Sequence, residues 1–369
     1  MVLSIIGIIN RTNELRFNKY QSPPPPCDDN IQSTKPISSS NNTSSLYKPS
    51  TLSSDNIAIF YNTFFAEDKQ KSFLALSFIK EQLHSRSTSI YPNASLYYIS
   101  LGEDIKIPNC TNCKQLEYIP KGNEVSTLSK LYEFCIEHPD KNVAYIHNKG
   151  SFHPSRNNDL LRRMLTKAVF SEECLLLKNP HKSKRSIDTS SHCQCNVCSA
   201  RFSPLPHFHT PGNMWVSTCS YVSKLIPPDI FGKKMDNATE CASTERFGRA
   251  SKIAGTHVGR GRFAAEHWIN SHPDVCPCDV YPGTFLWAYE RLPSNDNWKP
   301  DLVYAPRFPM IEDYEEEEYL LSVRKTIQGA WFSLVGRIHE WKTVYGKIPD
   351  ENSWVWNYYK SSEGYGAKE

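Results

Sequence analysis

Val143-Ala144-Tyr145-Ile146 is a short apolar run that breaks at once into His147-Asn148-Lys149-Gly150-Ser151. Apolar residues without alternation, stopping at polar residues and a glycine, read as a buried parallel strand delivering side chains to the edge of an open sheet. In α/β proteins that edge is where ligands bind, because the loops after the strands line the crevice there. His147 and Lys149 bring a proton donor and a cation to it, and Gly150 lets backbone approach a bulky anion. A strand end that is merely polar explains the fragment equally well, so its neighbours along the chain decide its meaning.

Those neighbours repeat the pattern. Ile57 to Tyr61 reads as a first strand, and Phe73, Leu76, Ile79, Lys80 and Leu83 follow at helical spacing. Leu96 to Leu101 reads as a second strand, and Leu128, Leu131, Cys135 and Ile136 mark a helix before the strand ending at His147. Strands alternating with helices predict a sheet built on parallel crossovers, with helices on its flanks. Asp159 to Leu177 is expected as one long helix, with Arg162 and Arg163 near its start. The sheet is expected to resume near Met214 to Cys219, and Ser220 to Leu225 to be a helix stopped by Pro227-Pro228. Residues 236–261 read as a mobile loop over the site, Arg262 to Asn270 as a helix, and Cys278 to Tyr289 as a final strand or two.

Three stretches fall outside this alternation. Residues 1–55 are expected to be a disordered stem: Ser22 to Ser54 is dominated by Ser, Pro, Asn and Thr and buries too little apolar surface to offset its ordering entropy. Residues 180–204 read as a Cys-rich insertion within a domain spanning 56–310. Residues 311–369 read as a C-terminal helical extension, because Leu320, Val323, Ile327, Ala330, Trp331, Leu334, Ile338 and Trp341 recur at helical spacing after an acidic start.

Two later segments carry polar and aromatic residues in a suggestive order: Pro206 to Trp215, containing His207, His209, Gly212 and Asn213, and Arg262 to Ile269, containing Glu266, His267 and Trp268. Together with Tyr145 to Ser151 they resemble a group of GT-A-type glycosyltransferase-like proteins with Tyr-Ile-His-x-Lys-Gly-Ser, Gly-Asn-x-Trp and Arg-x-x-x-Glu-x-Trp elements. The resemblance runs from about Asn56 to Tyr289. It implies a GT-A-like, Rossmann-type mixed sheet flanked by helices and a hexosyltransferase-like transfer from a nucleotide-sugar donor to a glycan or glycoconjugate acceptor. The chain departs from common GT-A enzymes in one respect: no Asp-x-Asp triplet stands at a strand end to hold a divalent metal, and His147-Asn148-Lys149 occupies that place.

On that reading Glu266 is the expected catalytic base, oriented by Arg262 and His267, with a capping or salt-bridge role as the plainer alternative. Lys149 and His147, with Arg162 and Arg163, are expected to balance the leaving diphosphate as fixed cations, although a solvated helix face explains the two arginines as well. Gly150, Ser151, His207, His209, Gly212, Asn213 and Trp215 are expected to line the substrate cleft, Trp215 by stacking on a sugar face. Without a resemblance, a non-catalytic carbohydrate- or partner-binding module on the same fold suits these residues too. A hydrolase with Cys or His as nucleophile or base ranks third, because the chain has no Gly-x-Ser-x-Gly elbow and no Cys in a recognisable nucleophile setting.

The 12 cysteines are many for a reduced compartment. His192 with Cys193, Cys195 and Cys198 offers four ligands for a structural zinc; in an oxidising lumen the same cysteines form disulfides, with Cys174 or Cys219 among the available partners. Cys110 and Cys113 fit a structural bridge better than a redox pair, and Cys276 and Cys278 are too close to pair with each other and need distant partners. Sequons at Asn10, Asn41, Asn42, Asn93, Asn109 and Asn237 point weakly to the secretory pathway and, with the resemblance, to a Golgi lumen; a cytoplasmic location is the alternative. A net charge of +3 gives no footprint for nucleic acid, and no apolar run approaches the roughly 20 residues of a membrane helix.

Overall fold

The computed structural model describes residues 53–180, 193–202, 209–243, 264–272, 274–281 and 297–305. The stem up to residue 52 and the C-terminal extension at 311–369 lie outside the described residues. A single 3-10 turn, Ser54–Asn56, capped by the Ser53 side chain, leads into β1 (Ile57–Phe65), which is buried along almost its whole length. Then follow α1 (Lys69–Ser87), β2 (Ser95–Gly102), β3 (Cys113–Ile119), α2 (Glu124–Glu137) and β4 (Asn142–His147). Next come α3 (Arg156–Val169), α4 (Glu172–Leu175), β5 (Val197–Ser199), β6 (Trp215–Thr218), α5 (Cys219–Val222) and α6 (Pro228–Ser243). The described elements end with α7 (Ala264–Trp268), β7 (Pro277–Asp279) and β8 (Val303–Tyr304).

These strands form one eight-stranded mixed sheet in the order β3-β2-β1-β4-β6-β5-β7-β8. β1 pairs in parallel with β2 and with β4, and β2 in parallel with β3. β6 runs antiparallel to β4 and β5, β7 is parallel to β5, and β8 is antiparallel to β7. The protein is therefore an α/β fold with a mixed sheet and flanking helices: the strand and helix patterns predict its parallel β1, β2 and β4 and the helices, and the antiparallel β6 and β8 make the sheet mixed.

Side-chain alternation along the buried strands divides the core between the two faces. Ile57, Ile59, Tyr61, Ala144 and Ile146 pack with Ala75 and Ile79 of α1 and Leu161, Met164, Leu165 and Ala168 of α3. Ala58, Phe60, Val143, Tyr145 and Trp215 pack on the other face with Leu128 and Leu131 of α2, Phe231 of α6, and Ala264 and Trp268 of α7.

Several expectations need correction. β3 is an edge strand with no fully buried residue; Lys114, Gln115 and Glu117 give it no apolar run to betray it. The helix expected over Asp159 to Leu177 breaks at Phe170, because the Ser171 side chain accepts from the Cys174 amide and caps a separate turn. Residues 236–243, expected in a loop, continue α6, which Pro228 begins at the position where a helix tolerates proline. The expected insertion at 180–204 yields β5, an interior strand between β6 and β7.

The cysteines realise the disulfide alternative. Cys110 pairs with Cys113, Cys135 with Cys219, Cys174 with Cys198, Cys193 with Cys276 and Cys195 with Cys278. The zinc reading of Cys193, Cys195 and Cys198 is overturned by this arrangement, because each sulfur is bonded to a different distant cysteine; His192 lies outside the described residues. Cys276 and Cys278 do take distant partners, and Cys110–Cys113 is the expected local bridge. Five disulfides among the described residues point to an oxidising, secretory or extracellular environment. Among the described residues no helix is long and apolar enough to cross a membrane.

Candidate functional site

From β1 the chain moves outward to β2 and β3 and then returns to place β4 on the other side of β1. The β1/β4 junction is thus the topological switch point, and the C-terminal ends of these strands open the crevice where open α/β sheets take ligands. His147, the last residue of β4, lies opposite Asn62 of β1. Beyond it the backbone turns sharply, and the Asn148 side chain takes over the pairing. Its Nδ2 donates to the Phe64 carbonyl at 2.8 Å and its Oδ1 accepts from the Phe64 amide at 2.9 Å. Asn148 is therefore a strut between the strand ends, which leaves Lys149 to reach into the crevice. Gly150 follows with φ +89°, and a Cβ there would stand 3.0 Å from the Asn158 Cβ, so glycine is required by both conformation and space.

Lys149 Nζ lies 4.0 Å from Oε1 of Glu266 on α7, both side chains being about a quarter exposed. The cation and carboxylate come from different layers of the fold and meet loosely, at the limit of an ion pair. Ser151 is buried, its amide donating to the Asn148 carbonyl at 3.2 Å. His147 Nε2 is 2.6 Å from the Gly212 carbonyl, which can only accept, so that nitrogen carries the proton. Its Nδ1 then faces Glu124 Oε1 at 3.8 Å. The His147 carbonyl accepts from Gln82 of α1 at 3.1 Å, which fixes the strand end from the opposite face of the sheet.

Glu124, the first residue of α2, is the site residue that the sequence does not single out. Its Oε2 accepts from Asn213 Nδ2 at 2.6 Å and from the Tyr145 hydroxyl at 3.3 Å. A carboxylate at a helix N-terminus is favoured by the helix dipole, and Asn123 before it caps the helix by accepting from the Val125 amide. The pair Asn123-Glu124 signals a helix start; nothing local tells that strands β4 and β6 will bring it Tyr145 and Asn213. Burial, followed by the charge and hydrogen bond of Glu124, pushes the Tyr145 phenol well above its ordinary range.

Gly212 and Asn213 form a left-handed pair, with φ +82° and +47°. The close approach that Gly212 permits is to α3: a Cβ would meet Leu165 Cδ1 at 2.5 Å. Asn213 is fully buried and accepts from the Trp215 indole at 2.9 Å. Trp215 is itself fully buried and stacked on Tyr145 with centroids 5.5 Å apart, so it faces protein and the expectation that it stacks on a sugar is corrected. His209 and His267 bring their rings within 5.3 Å of each other, and the Thr210 amide donates to the Glu266 carbonyl at 3.3 Å, so this segment and α7 form one wall.

The structure thus brings together His147, Lys149, Gly150, Ser151, His209, Gly212, Asn213, Glu266 and His267. Arg162 and Arg163 are placed otherwise. The Arg162 guanidinium is fully buried 3.5 Å from the Phe78 ring centroid; it bonds to Asp159, to Glu81 at 3.0 Å and to the Lys149 carbonyl at 3.4 Å. Arg163 pairs with the same two carboxylates, at 2.8 Å to Glu81 and 3.4 Å to Asp159. Two cations balance two anions, and the cluster braces the loop after β4 from below. His207 and Arg262 lie outside the described residues. Among the described residues no group of three or more His, Cys, Asp or Glu side chains is gathered to hold a metal ion.

Residues 60–358 match the family described as a domain of unknown function (DUF8361). The chain belongs to that family. No curated protein and no solved structure matches it.

Proposed function

We propose that this chain of the DUF8361 family is a glycosyltransferase that moves a sugar from a nucleotide-sugar donor to a glycan or glycoconjugate hydroxyl, working in a secretory compartment such as the Golgi lumen. The observation that carries the reading is the meeting of Lys149 and Glu266 at the switch point, 4.0 Å apart and partly open to solvent. A loose, part-exposed pair holds its partners weakly, so an incoming diphosphate can take Lys149 from Glu266 at small cost. Glu266 is then released to accept the proton of an acceptor hydroxyl as that oxygen attacks the anomeric carbon. The bond from that carbon to the diphosphate oxygen breaks, and Lys149 balances the charge that leaves. Gly150, beside Lys149, and the α7 wall with His209 and His267 supply the remaining surfaces of the cleft. The strand-end motif in its family-like order and the α/β sheet both support the same reading.

A panel of nucleotide sugars and free nucleoside diphosphates, assayed by thermal shift and by transfer to oligosaccharide acceptors with and without a chelator, tests it. A donor that raises the melting temperature and is consumed in the chelator's presence agrees with fixed cations at the diphosphate. Silence across all donors, with binding of glycans alone, replaces the enzyme by a carbohydrate-binding module.

A further inference from the structure

Among the five disulfides of the described residues, Cys110–Cys113 differs from the rest. The other four each have at least one fully buried partner and span 24 to 84 residues, whereas both Cys110 and Cys113 are part-exposed and span three. A bridge across so short a loop removes little chain entropy from the unfolded state, so stability is a poor reason for it.

Beneath the loop lies Arg86, which the last turn of α1 carries under the start of β3. It is buried, and its Nη1 stands 3.8 Å from Cys110 Sγ and 3.7 Å from Cys113 Sγ. Its other partners are neutral: Nη1 and Nη2 each donate to the Thr111 carbonyl at 3.1 Å, and Nη2 donates to the Ala94 carbonyl at 2.6 Å. Among the described residues no carboxylate pairs with it. A buried guanidinium without an anion is costly, and burial alone lowers its proton affinity. The missing anion is what reduction of this disulfide would produce.

We propose that Cys110–Cys113 is a thiol–disulfide exchange site for low-molecular-weight thiols, with the Arg86 guanidinium holding the thiolate that leaves. An incoming thiolate attacks one sulfur, the Cys110–Cys113 bond breaks, and the released cysteine thiolate is stabilised by Arg86. A second thiolate attacks the mixed disulfide, frees the other cysteine and departs as the oxidised small disulfide, two electrons having passed to the protein. Nearby positive charge lowers a cysteine's pKa and makes it the better leaving group. Because the Asn112 carbonyl accepts from the Leu96 amide at 2.9 Å, the loop also sets the start of the β2–β3 pairing, which is the part of the fold the exchange can loosen.

The test uses the full-length protein in buffers of stepped reduced-to-oxidised glutathione ratio, quenched by alkylation, with peptide mass spectrometry reporting each pair. Cys110–Cys113 is expected to favour the dithiol at least about tenfold over each of the other four pairs, about 30 mV for a two-electron couple. Arg86→Gln, which keeps a donor but removes the charge, is expected to lose about that tenfold, and Arg86→Lys to keep most of it. In wild type, the reduced cysteines should be alkylated at neutral pH faster than an ordinary thiol of pKa about 8.5. Reduction together with or after the buried pairs, an unchanged constant in Arg86→Gln, or alkylation at the ordinary rate overturns the proposal. The alkylation rate of wild type decides the matter if the Arg86 variants do not fold.

Discussion

Replacing Glu124 by alanine is the sharpest test of how the site is built. Its carboxylate accepts from two fully buried groups, Asn213 Nδ2 at 2.6 Å and the Tyr145 hydroxyl at 3.3 Å. Glu124→Ala leaves both donors without an acceptor, and a buried donor left unmet costs about 1–3 kcal/mol. The Glu124 side chain is only about a fifth exposed, so water replaces it incompletely. The loss should be about 2–4 kcal/mol, a large part of the roughly 5–15 kcal/mol that holds a domain together. Glu124→Gln can put its amide oxygen where Oε2 stands and accept from both donors there, losing only the charge, so it should cost well under half as much. Urea unfolding under non-reducing conditions measures both, as a shift in midpoint at constant slope. A loss below about 1 kcal/mol for the alanine, or equal losses for the two variants, would show that these hydrogen bonds do not hold the Gly212-Asn213 turn against β4.

Lys149→Ala should abolish nucleotide-sugar binding, read by calorimetry, while leaving the melting temperature within a degree or two, because the side chain serves the crevice and not the core. Glu266→Gln should keep donor binding but reduce transfer by on the order of a hundredfold or more in a coupled diphosphate-release assay, the usual worth of a general base. Near-normal turnover returns Glu266 to a wall of the cleft. Tyr61 and Tyr145 give a pH dependence: burial, the largest cause for both, raises each phenol well above its ordinary 10.0. Above pH 10 the unfolded chain gives up these protons and the native state keeps them, so stability is full below pH 10 and falls as pH rises beyond it. Ultraviolet titration should show the exposed tyrosines ionising first and these two only as the fold opens.

The first half of the molecule was legible because its strands are long and apolar. β1 and β4, buried almost throughout, leave no choice but an interior position, and the break at His147 marks the sheet edge by itself. β3 escaped because an edge strand carries charges. Residues near the site were legible as chemistry but not as partners. His147, Lys149 and Glu266 stand out by type and spacing, whereas the roles of Asn148, Arg162 and Trp215 depend on what the fold places beside them. Asn148 spends its amide on the Phe64 backbone, Arg162 its charge on Glu81 and Asp159, and Trp215 its ring on Tyr145. The same types in the same order would suit a ligand, and only the packing assigns them to the scaffold. Glu124 shows the reverse: an ordinary first-turn acid that becomes central once three distant groups converge on it.

The second half was less legible for a reason that also bears on function. β1 to β4 run for nine, eight, seven and six residues, but β5 to β8 for only three, four, three and two. Ladders that short cannot fix their own register, and four disulfides are placed where they fail. Cys135–Cys219 ties α2 to α5, Cys174–Cys198 ties α4 to β5, and Cys193–Cys276 and Cys195–Cys278 tie the β5 segment to the β7 segment. Separations of 83 and 84 residues correspond to roughly 4–5 kcal/mol each of lost unfolded-chain entropy if taken singly. The switch point therefore joins two kinds of rigidity. Lys149 stands on strands held by hydrogen bonds and burial, and Glu266 on a five-residue helix packed in the cross-linked half. Reducing the buried disulfides should therefore loosen the Glu266 side more than the Lys149 side, read as faster amide exchange in β5 and β7 while the amides of β1, β2 and β4 stay protected.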